Sequence, residues 1–114
     1  MKDDRIYFLH IRDAIQRILD YTSSGKDAFF ADTKTQDAVV RNLEIIGEAV
    51  KNVSAEFKAA HPEIPWRRIA GMRDRLIHEY FGVNLKIVWE RVERDIPDLK
   101  RKIEAILQEL DEKP

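Results

Sequence analysis

The sequence predicts an all-α protein, built as a four-helix up-down bundle with one short additional helix. Apolar residues recur with helical spacing along four long stretches, and the chain has only four Gly and four Pro. A sandwich or barrel needs a turn roughly every ten residues, which so few turn formers do not provide. With 114 residues there is room for one core, so residues 1–114 are expected to form a single domain.

The first long helix is predicted over residues 3–22. Its apolar residues are spaced three and four apart, as on one face of a helix: Phe8, Ile11, Ile15 and Ile18. The segment Ser23-Ser24-Gly25 supplies a stop, with Gly25 available for a left-handed cap.

The second long helix is predicted to begin at Thr33, whose hydroxyl can cap it while Gln36 reaches back. The apolar stripe of this helix consists of Val39, Leu43, Ile46, Val50 and Val53. Gly47 on the same helix is expected to allow close packing of a neighbour. Phe29 and Phe30 lie between the two helices with no helical period, and are expected to plug one end of the core.

A short helix is predicted to start after Ser54 and to end at or before His61, because Pro62 disfavours the α conformation in the residue before it. After a turn over residues 62–65, Pro65 suits the first position of the third main helix. The apolar stripe of this helix consists of Ile69, Met72, Leu76 and Tyr80. The helix is predicted to end at Gly82.

The last helix is predicted to be capped by Asn84 and kinked near Pro97. One apolar stripe runs through the proline, made of Val88, Val92, Ile96, Leu99, Ile103, Ile106 and Leu110. Because the stripe runs through Pro97, one long helix with a kink there is expected.

Composition excludes several classes of function. A net charge of −1 gives no general attraction to nucleic acid, so any basic site must be local. With no Cys, disulfides, zinc thiolates and thiol nucleophiles are excluded. No apolar run approaches a membrane span or a signal peptide, so we expect a cytoplasmic protein without a membrane partner.

The local basic site is predicted in residues 66–78, which contain four Arg and one Asp and therefore carry a charge of +3. His78 ends this segment, and Asp74 four residues earlier is placed to hold its ring and raise its pKa. Arg67, Arg68 and Arg75 are candidates for steering a negatively charged substrate toward this site. The other histidines, His10 and His61, are expected to be structural or solvated.

Arg73 and His78 lie about 140° apart around an ideal helix, whereas Arg73 and Tyr80 lie within about 20° of each other. Arg73 and His78 therefore share a substrate only if Arg73 bends around the helix, if the helix distorts near Gly82, or if a second subunit completes the site. We favour the dimer, because an Arg on the apolar face needs a partner or an interface groove.

A histidine beside guanidinium groups is what RNA cleavage without a metal requires. The imidazole moves a proton at the 2′-hydroxyl or the leaving oxygen, and the Arg stabilises the charged phosphorane, giving a 2′,3′-cyclic phosphate. Spacing alone favours a simpler interpretation, a solvated Arg-rich helix end. Glu44 and Glu48 are expected to be neutralised by Arg rather than to bind a metal, so neither a metal nor another cofactor is predicted.

The segment 73–80, RDRLIHEY, resembles the Arg-x4-His-x-Tyr signature of the HepT toxins of the HEPN superfamily. Residues 41–49 (RNLEIIGEA), residues 62–66 (PEIPW) and residues 71–73 (GMR) are similar to its other recurrent blocks, in the same order. Many relatives have Asn where Asp74 stands, and Asp74 would hold a protonated His78 more tightly.

This resemblance implies a helical homodimer, a ribonuclease site formed by Arg73 and His78, and an RNA substrate. It also implies a partner, the nucleotidyltransferase antitoxin MntA, which uses ATP to add AMP to the motif tyrosine, here Tyr80. Two other interpretations stay open: a non-catalytic helical subunit that presents nucleotide or substrate to a nucleotidyltransferase, and a bundle with no site.

Overall fold

The computed structural model describes residues 4–78 and 84–112, and every regular element in them is helical. Its seven α-helices are α1 Arg5–Tyr21, α2 Lys26–Ala31, α3 Thr33–Asn52, α4 Ala55–Ala60, α5 Trp66–His78, α6 Leu85–Glu90 and α7 Ile96–Glu112. The predicted all-α class is confirmed. Two short helices, α2 and α4, accompany the long ones where a single additional helix was predicted.

The core lies where α1 packs against α3 and α7, and where α3 packs against α5. The stripes predicted for α1 and α3 are buried in full, including Phe8, Ile18, Val39 and Val53. On α5 the buried residues are Ile69 and Leu76, while Met72 packs against the core from a partly buried position. Helical periodicity therefore located the core correctly.

The start of α3 differs from the prediction. Asp32, not Thr33, is the N-cap residue, and its carboxylate accepts a hydrogen bond of 3.0 Å from the Lys34 amide. Gln36 does not reach back to Thr33, because its side-chain amide donates to the carbonyl oxygens of Phe29 and Phe30. Those two carbonyls end α2, so Gln36 joins the short helix to the long one.

The segment between α1 and α3 forms α2 rather than an irregular plug. Gly25 precedes it with a φ of 93°, a conformation that favours glycine, although it begins α2 instead of closing α1 in the left-handed α conformation. Phe29 is buried with its ring centre 5.3 Å from that of Trp89, whereas Phe30 is exposed. Only one of the two phenylalanines therefore fills the core.

The short helix α4 begins as predicted, since the Ser54 hydroxyl accepts from the Phe57 amide at 3.2 Å. The carboxylate of Asp4, just before α1, accepts from the Ser54 amide at 3.0 Å and from its hydroxyl at 2.7 Å. These bonds tie the start of α1 to the start of α4.

The prediction of one long helix through Pro97 is confirmed, because α6, a π turn and α7 follow one another with no non-helical residue between them. Asn84 caps α6 as predicted, and a π turn over Arg91–Asp95, which the sequence did not predict, joins α6 to α7. The Ile96 amide donates to the Arg91 carbonyl five residues earlier. Since Pro97 has no N–H and its ring would clash with the preceding turn of an α-helix, the wider turn accommodates it. Among the described residues, no helix combines the length and the apolar character needed to cross a membrane.

Candidate active site on α5

Arg73 lies where α3 and α5 cross most closely. A Cβ atom placed on Gly47 of α3 would be 2.2 Å from the Arg73 Cβ and 3.3 Å from the Ile69 carbonyl oxygen. Real Cβ atoms do not approach other atoms to 2.2 Å, so only glycine fits at this position. The expectation that Gly47 allows close packing is confirmed, and the neighbour that it admits is Arg73.

Two carboxylates bind the guanidinium group of Arg73. Its Nη2 atom lies 2.8 Å from a Glu48 carboxylate oxygen, and its Nη1 atom lies 3.0 Å from an Asp74 oxygen. The Arg73 side chain is 25% exposed, and its buried Nε has no acceptor among the described residues. The counter-charge that burial requires is therefore present within the chain, so burial alone does not require a second subunit.

Asp74 is bonded differently from the prediction. Its carboxylate accepts from Lys51 Nζ at 2.6 Å and from Arg73, and no hydrogen bond joins it to His78 in the described part of the chain. The bond from Lys51, followed by that from Arg73, lowers the pKa of Asp74 below its ordinary value. The carboxylate is drawn to two cations on its α3 side, which explains why it does not hold His78 in this structure.

His78 is the last residue of α5 and is exposed. Helical rotation places it on the outer face, within about 20° of Arg67 and about 60° of Arg75. Arg67 and Arg75 are exposed, with no ion-pair partner among residues 4–78 and 84–112, whereas Arg68 lies 3.7 Å from Asp95. The unbalanced positive charge of α5 therefore lies on the side of His78, away from the core.

Arg73 opens into a pocket of about 270 Å³ between α1, α3 and α5, called here the arginine groove. Its lining residues are Tyr7, His10, Arg41, Glu44, Ile45, Glu48, Ala49, Asn52, Arg73 and Ile77. Arg41 lies 3.7 Å from Glu44, so each arginine of the groove has a nearby glutamate. These pairs confirm that arginine neutralises both glutamates, as the sequence predicted.

Several residues of this region were not predicted as part of the site. Glu48 and Lys51 belong to α3, far from α5 in sequence, and His10 of α1 lines the arginine groove although the sequence indicated a structural or solvated role. Two neighbouring residues signalled the contact between α3 and Arg73: Gly47, which allows another helix to come close, and Glu48, which needs a cation. By contrast, His61 has the structural role expected of it, stacking on Phe57 and lying 2.9 Å from Glu63.

Tyr80 and Gly82 lie outside the described residues, so the predicted modification site and the predicted distortion of the helix near Gly82 stay predictions. Within its described range, α5 is a regular α-helix through His78. The Arg73 side chain bends toward Asp74, one turn before His78, but the described residues show no hydrogen bond between His78 and either residue.

An all-helical fold with an Arg and a His five residues apart on one helix is what the resemblance to HepT proteins implies. Residues 11–106 match the family described as "Ribonuclease HepT-like". The chain belongs to this family, and its fold is consistent with the HEPN superfamily.

Three relatives are similar over most of this chain. The "Probable ribonuclease HepT" of Thermococcus cleftensis is 52% identical over 101 residues, covering 88% of this chain and 92% of the relative. A "Putative RNase" of Caldanaerobacter subterraneus subsp. tengcongensis is 46% identical over 109 residues, covering 95% of this chain and 97% of the relative.

A longer protein of Methanocaldococcus jannaschii is named both as a gamma-glutamylcyclotransferase and as a putative RNase. It is 50% identical over 111 residues, which are 96% of this chain and 50% of the relative. The chain thus spans half of that longer protein. No solved structure matches the chain significantly.

Proposed function

We propose that this protein is an endoribonuclease of the toxin-antitoxin type that cleaves RNA without a metal ion, with His78 and Arg73 as its catalytic residues. The observation that carries the proposal is their placement: α3 holds Arg73 in a fixed position, and His78 is exposed on the positive face of the same helix. Membership of the HepT-like ribonuclease family supports the same activity.

The proposed reaction is a transfer of phosphorus between two oxygens of the RNA. The 2′-oxygen attacks the adjacent phosphorus while His78 takes its proton, the bond from phosphorus to the 5′-oxygen breaks, and water donates a proton to that oxygen. The products are a 2′,3′-cyclic phosphate and a 5′-hydroxyl. Arg73 stabilises the additional charge on the phosphorane, and Asp74 supports Arg73 through its hydrogen bond.

A homodimer would bring the two catalytic groups to one phosphate. Arg73 faces the arginine groove, whereas His78 lies about 140° away around α5. In a two-fold dimer with α5 near the axis, His78 of one copy can face Arg73 of the other. Arg67, Arg68 and Arg75 would attract the RNA, and Arg67 and Arg75 are the better placed, since neither is paired with a carboxylate among the described residues.

The proposed partner is an MntA-type nucleotidyltransferase that transfers AMP from ATP to Tyr80. The added phosphate would repel RNA and could pair with a nearby arginine. We expect Tyr80→Phe to cleave RNA normally but to escape inhibition by the partner, which mass spectrometry of the AMP-modified peptide would check. AMP found on another residue would contradict this role of Tyr80. Both proteins would act in the cytoplasm.

The experiment that tests the activity is cleavage of RNA by purified protein in EDTA. We expect cyclic-phosphate ends from the parent protein and no cleavage by His78→Ala. His10→Gln is the matched control, because His10 is the histidine that lines the arginine groove. We expect His10→Gln to cleave RNA, and cleavage by His78→Ala at the rate of the parent would show that His78 is not the catalytic base.

A second candidate is a non-catalytic subunit that binds nucleotide or substrate for a nucleotidyltransferase. The observation that favours it is the pairing of Arg73 with Glu48 and Asp74, which neutralises the proposed phosphate ligand. This candidate predicts RNA binding without cleavage in the same assay.

A further inference from the structure

A second groove lies beside the first turns of α5, on the side of Trp66. It is shallow and open, with a volume of about 690 Å³, and is called here the tryptophan groove. The residues lining it are Lys58, Pro65, Trp66, Arg67, Arg68 and Ala70. It shares none of its lining residues with the arginine groove.

The tryptophan groove is positively charged in a protein whose net charge is −1. Its described lining contains three cations and no carboxylate. Lys58 and Arg67 have no ion-pair partner among the described residues, and Arg68 is 60% exposed at 3.7 Å from Asp95. The groove therefore complements an anionic ligand, which the balanced arginine groove does less well.

Trp66 is held in one orientation inside this groove. Its Nε1–H donates to the His61 carbonyl oxygen at 2.9 Å, and its ring contacts Phe8 edge-on, with ring centres 6.2 Å apart. Since the indole N–H is occupied, the part of the ring that lines the groove offers an apolar stacking surface rather than a hydrogen-bond donor. Such a surface accepts any base, but only a base that is not paired in a duplex.

The groove is also aligned with His78. Arg67 and His78 are eleven residues apart on α5, which places them about 16 Å apart along the helix and within about 20° around it. An extended RNA strand covers this distance in a few nucleotides. The Lys58 and Arg67 side chains can thus contact phosphates of the strand whose cleaved phosphate lies at His78.

We infer that the tryptophan groove is a binding subsite for single-stranded RNA, in which an unpaired base stacks on Trp66 and Lys58 and Arg67 contact flanking phosphates. The inference rests on the proposed function for the position of the cleaved phosphate. It adds a substrate class, RNA unpaired a few nucleotides away from the cut, and two residues, Lys58 and Trp66, outside the catalytic pair.

The test compares binding of a labelled single-stranded RNA and of the same sequence as a duplex, measured by fluorescence anisotropy over a range of salt concentrations. Lys58→Ala and Arg67→Ala should each weaken binding and lower the slope of log affinity against log salt by about 0.7, the contribution of one phosphate contact on a single strand. Lys26→Ala is the matched control, because Lys26 is an exposed lysine on α2.

Trp66→Leu tests stacking while keeping an apolar side chain against Phe8. We expect roughly tenfold weaker binding of single-stranded RNA with an unchanged salt slope. Thermal unfolding identifies any loss of fold, and Lys58→Ala, which removes only a partly exposed side chain, tests the groove independently.

The outcomes separate this inference from the proposed function. Groove variants that bind single-stranded RNA as the Lys26 control does, or a parent that prefers the duplex, would overturn the inference even if RNA is cleaved. A parent protein that binds single strands through the groove but cleaves nothing would support the inference and overturn the nuclease. A parent that neither binds nor cleaves RNA would overturn both.

Discussion

Arg73 is paired with carboxylates before any RNA arrives. Glu48 and Asp74 each bind one end of its guanidinium group, and Lys51 balances Asp74, so these four residues together carry no net charge. A phosphate must therefore compete with Glu48, whose side chain is 55% exposed and free to move into solvent. Glu48 orients the arginine and, by the same contact, lowers its attraction for phosphate.

We expect Glu48→Gln to bind RNA more tightly than the parent protein. The amide is uncharged and keeps a hydrogen-bond acceptor for Arg73, so the position of the guanidinium is preserved while its charge is no longer balanced. Stability should change little, because exposed ion pairs contribute about 0 to 1 kcal/mol. Anisotropy titrations would measure the affinity, with Glu44→Gln as the control of equal charge change. Weaker binding by Glu48→Gln alone would contradict this role.

Asp74 makes stability depend on acidity. Its pKa is lowered in the folded protein by the hydrogen bonds from Lys51 and Arg73, relative to an ordinary value of 3.8. A lowered pKa adds stability that is complete above the unfolded value and is lost as the pH falls through the folded value. Asp74→Asn should therefore lose less thermal stability than the parent between pH values of about 6 and 3, measured by circular dichroism. Parallel curves for the two proteins would contradict the assignment.

At the scale of single residues, the sequence indicated which side chains are special but not what they touch. Arg73 was expected to need a partner, and it has one, yet Glu48 lies 25 positions earlier and no local spacing relates the two. Asp74 had an obvious local partner in His78 and binds Lys51 instead. Contacts between α3 and α5 decide both cases, and they depend on how the helices cross.

The crossing of α3 and α5 is the element on which the position of Arg73 depends. Gly47 sits at the closest approach and Gly71 lies on α5, where a Cβ would meet nothing within 4 Å. The two glycines thus have opposite surroundings, although both are in the interior of a helix.

We expect Gly47→Ala to destabilise the fold by about 1 to 3 kcal/mol, because the added methyl overpacks the crossing. Gly71→Ala should stabilise it by about 0.5 to 1 kcal/mol, since alanine is the better helix former and the space is open. Urea denaturation of both variants checks the pair. Equal effects would contradict the crossing described here.

Element boundaries were predictable where a local signal decides them. Ser54 and Asn84 cap α4 and α6 because their side chains reach amides two or three residues ahead. The sequence predicts Thr33 rather than Asp32 as the N-cap of α3, because no local signal indicates α2 or its link to α3 through Gln36. The π turn before Pro97 was also missed, since an apolar stripe continues through it without a break. The spacing of apolar residues identifies the buried face of a helix. It does not detect a π turn, in which the hydrogen bond spans five residues instead of four.

For the whole molecule, the near-neutral charge does not exclude RNA, because the ion pairs distribute the charge unevenly. Arg73, Arg41 and Arg68 have nearby carboxylates, while Arg67, Arg75 and Lys58 have none in the described ranges. The positive surface therefore extends along the outer face of α5 from the tryptophan groove to His78. This surface is the kind of local basic site that a net charge of −1 requires.

The shared site, in which Arg73 of one copy and His78 of the other act on one phosphate, is the main proposal for this protein. It is tested most directly by purifying, through two different tags, a mixed dimer of an Arg73→Ala chain and a His78→Ala chain. Each variant alone should be inactive, whereas the mixed dimer contains one complete site of two and should cleave RNA at about half the rate of the parent dimer. A mixed dimer that assembles but cleaves no RNA would contradict the shared site.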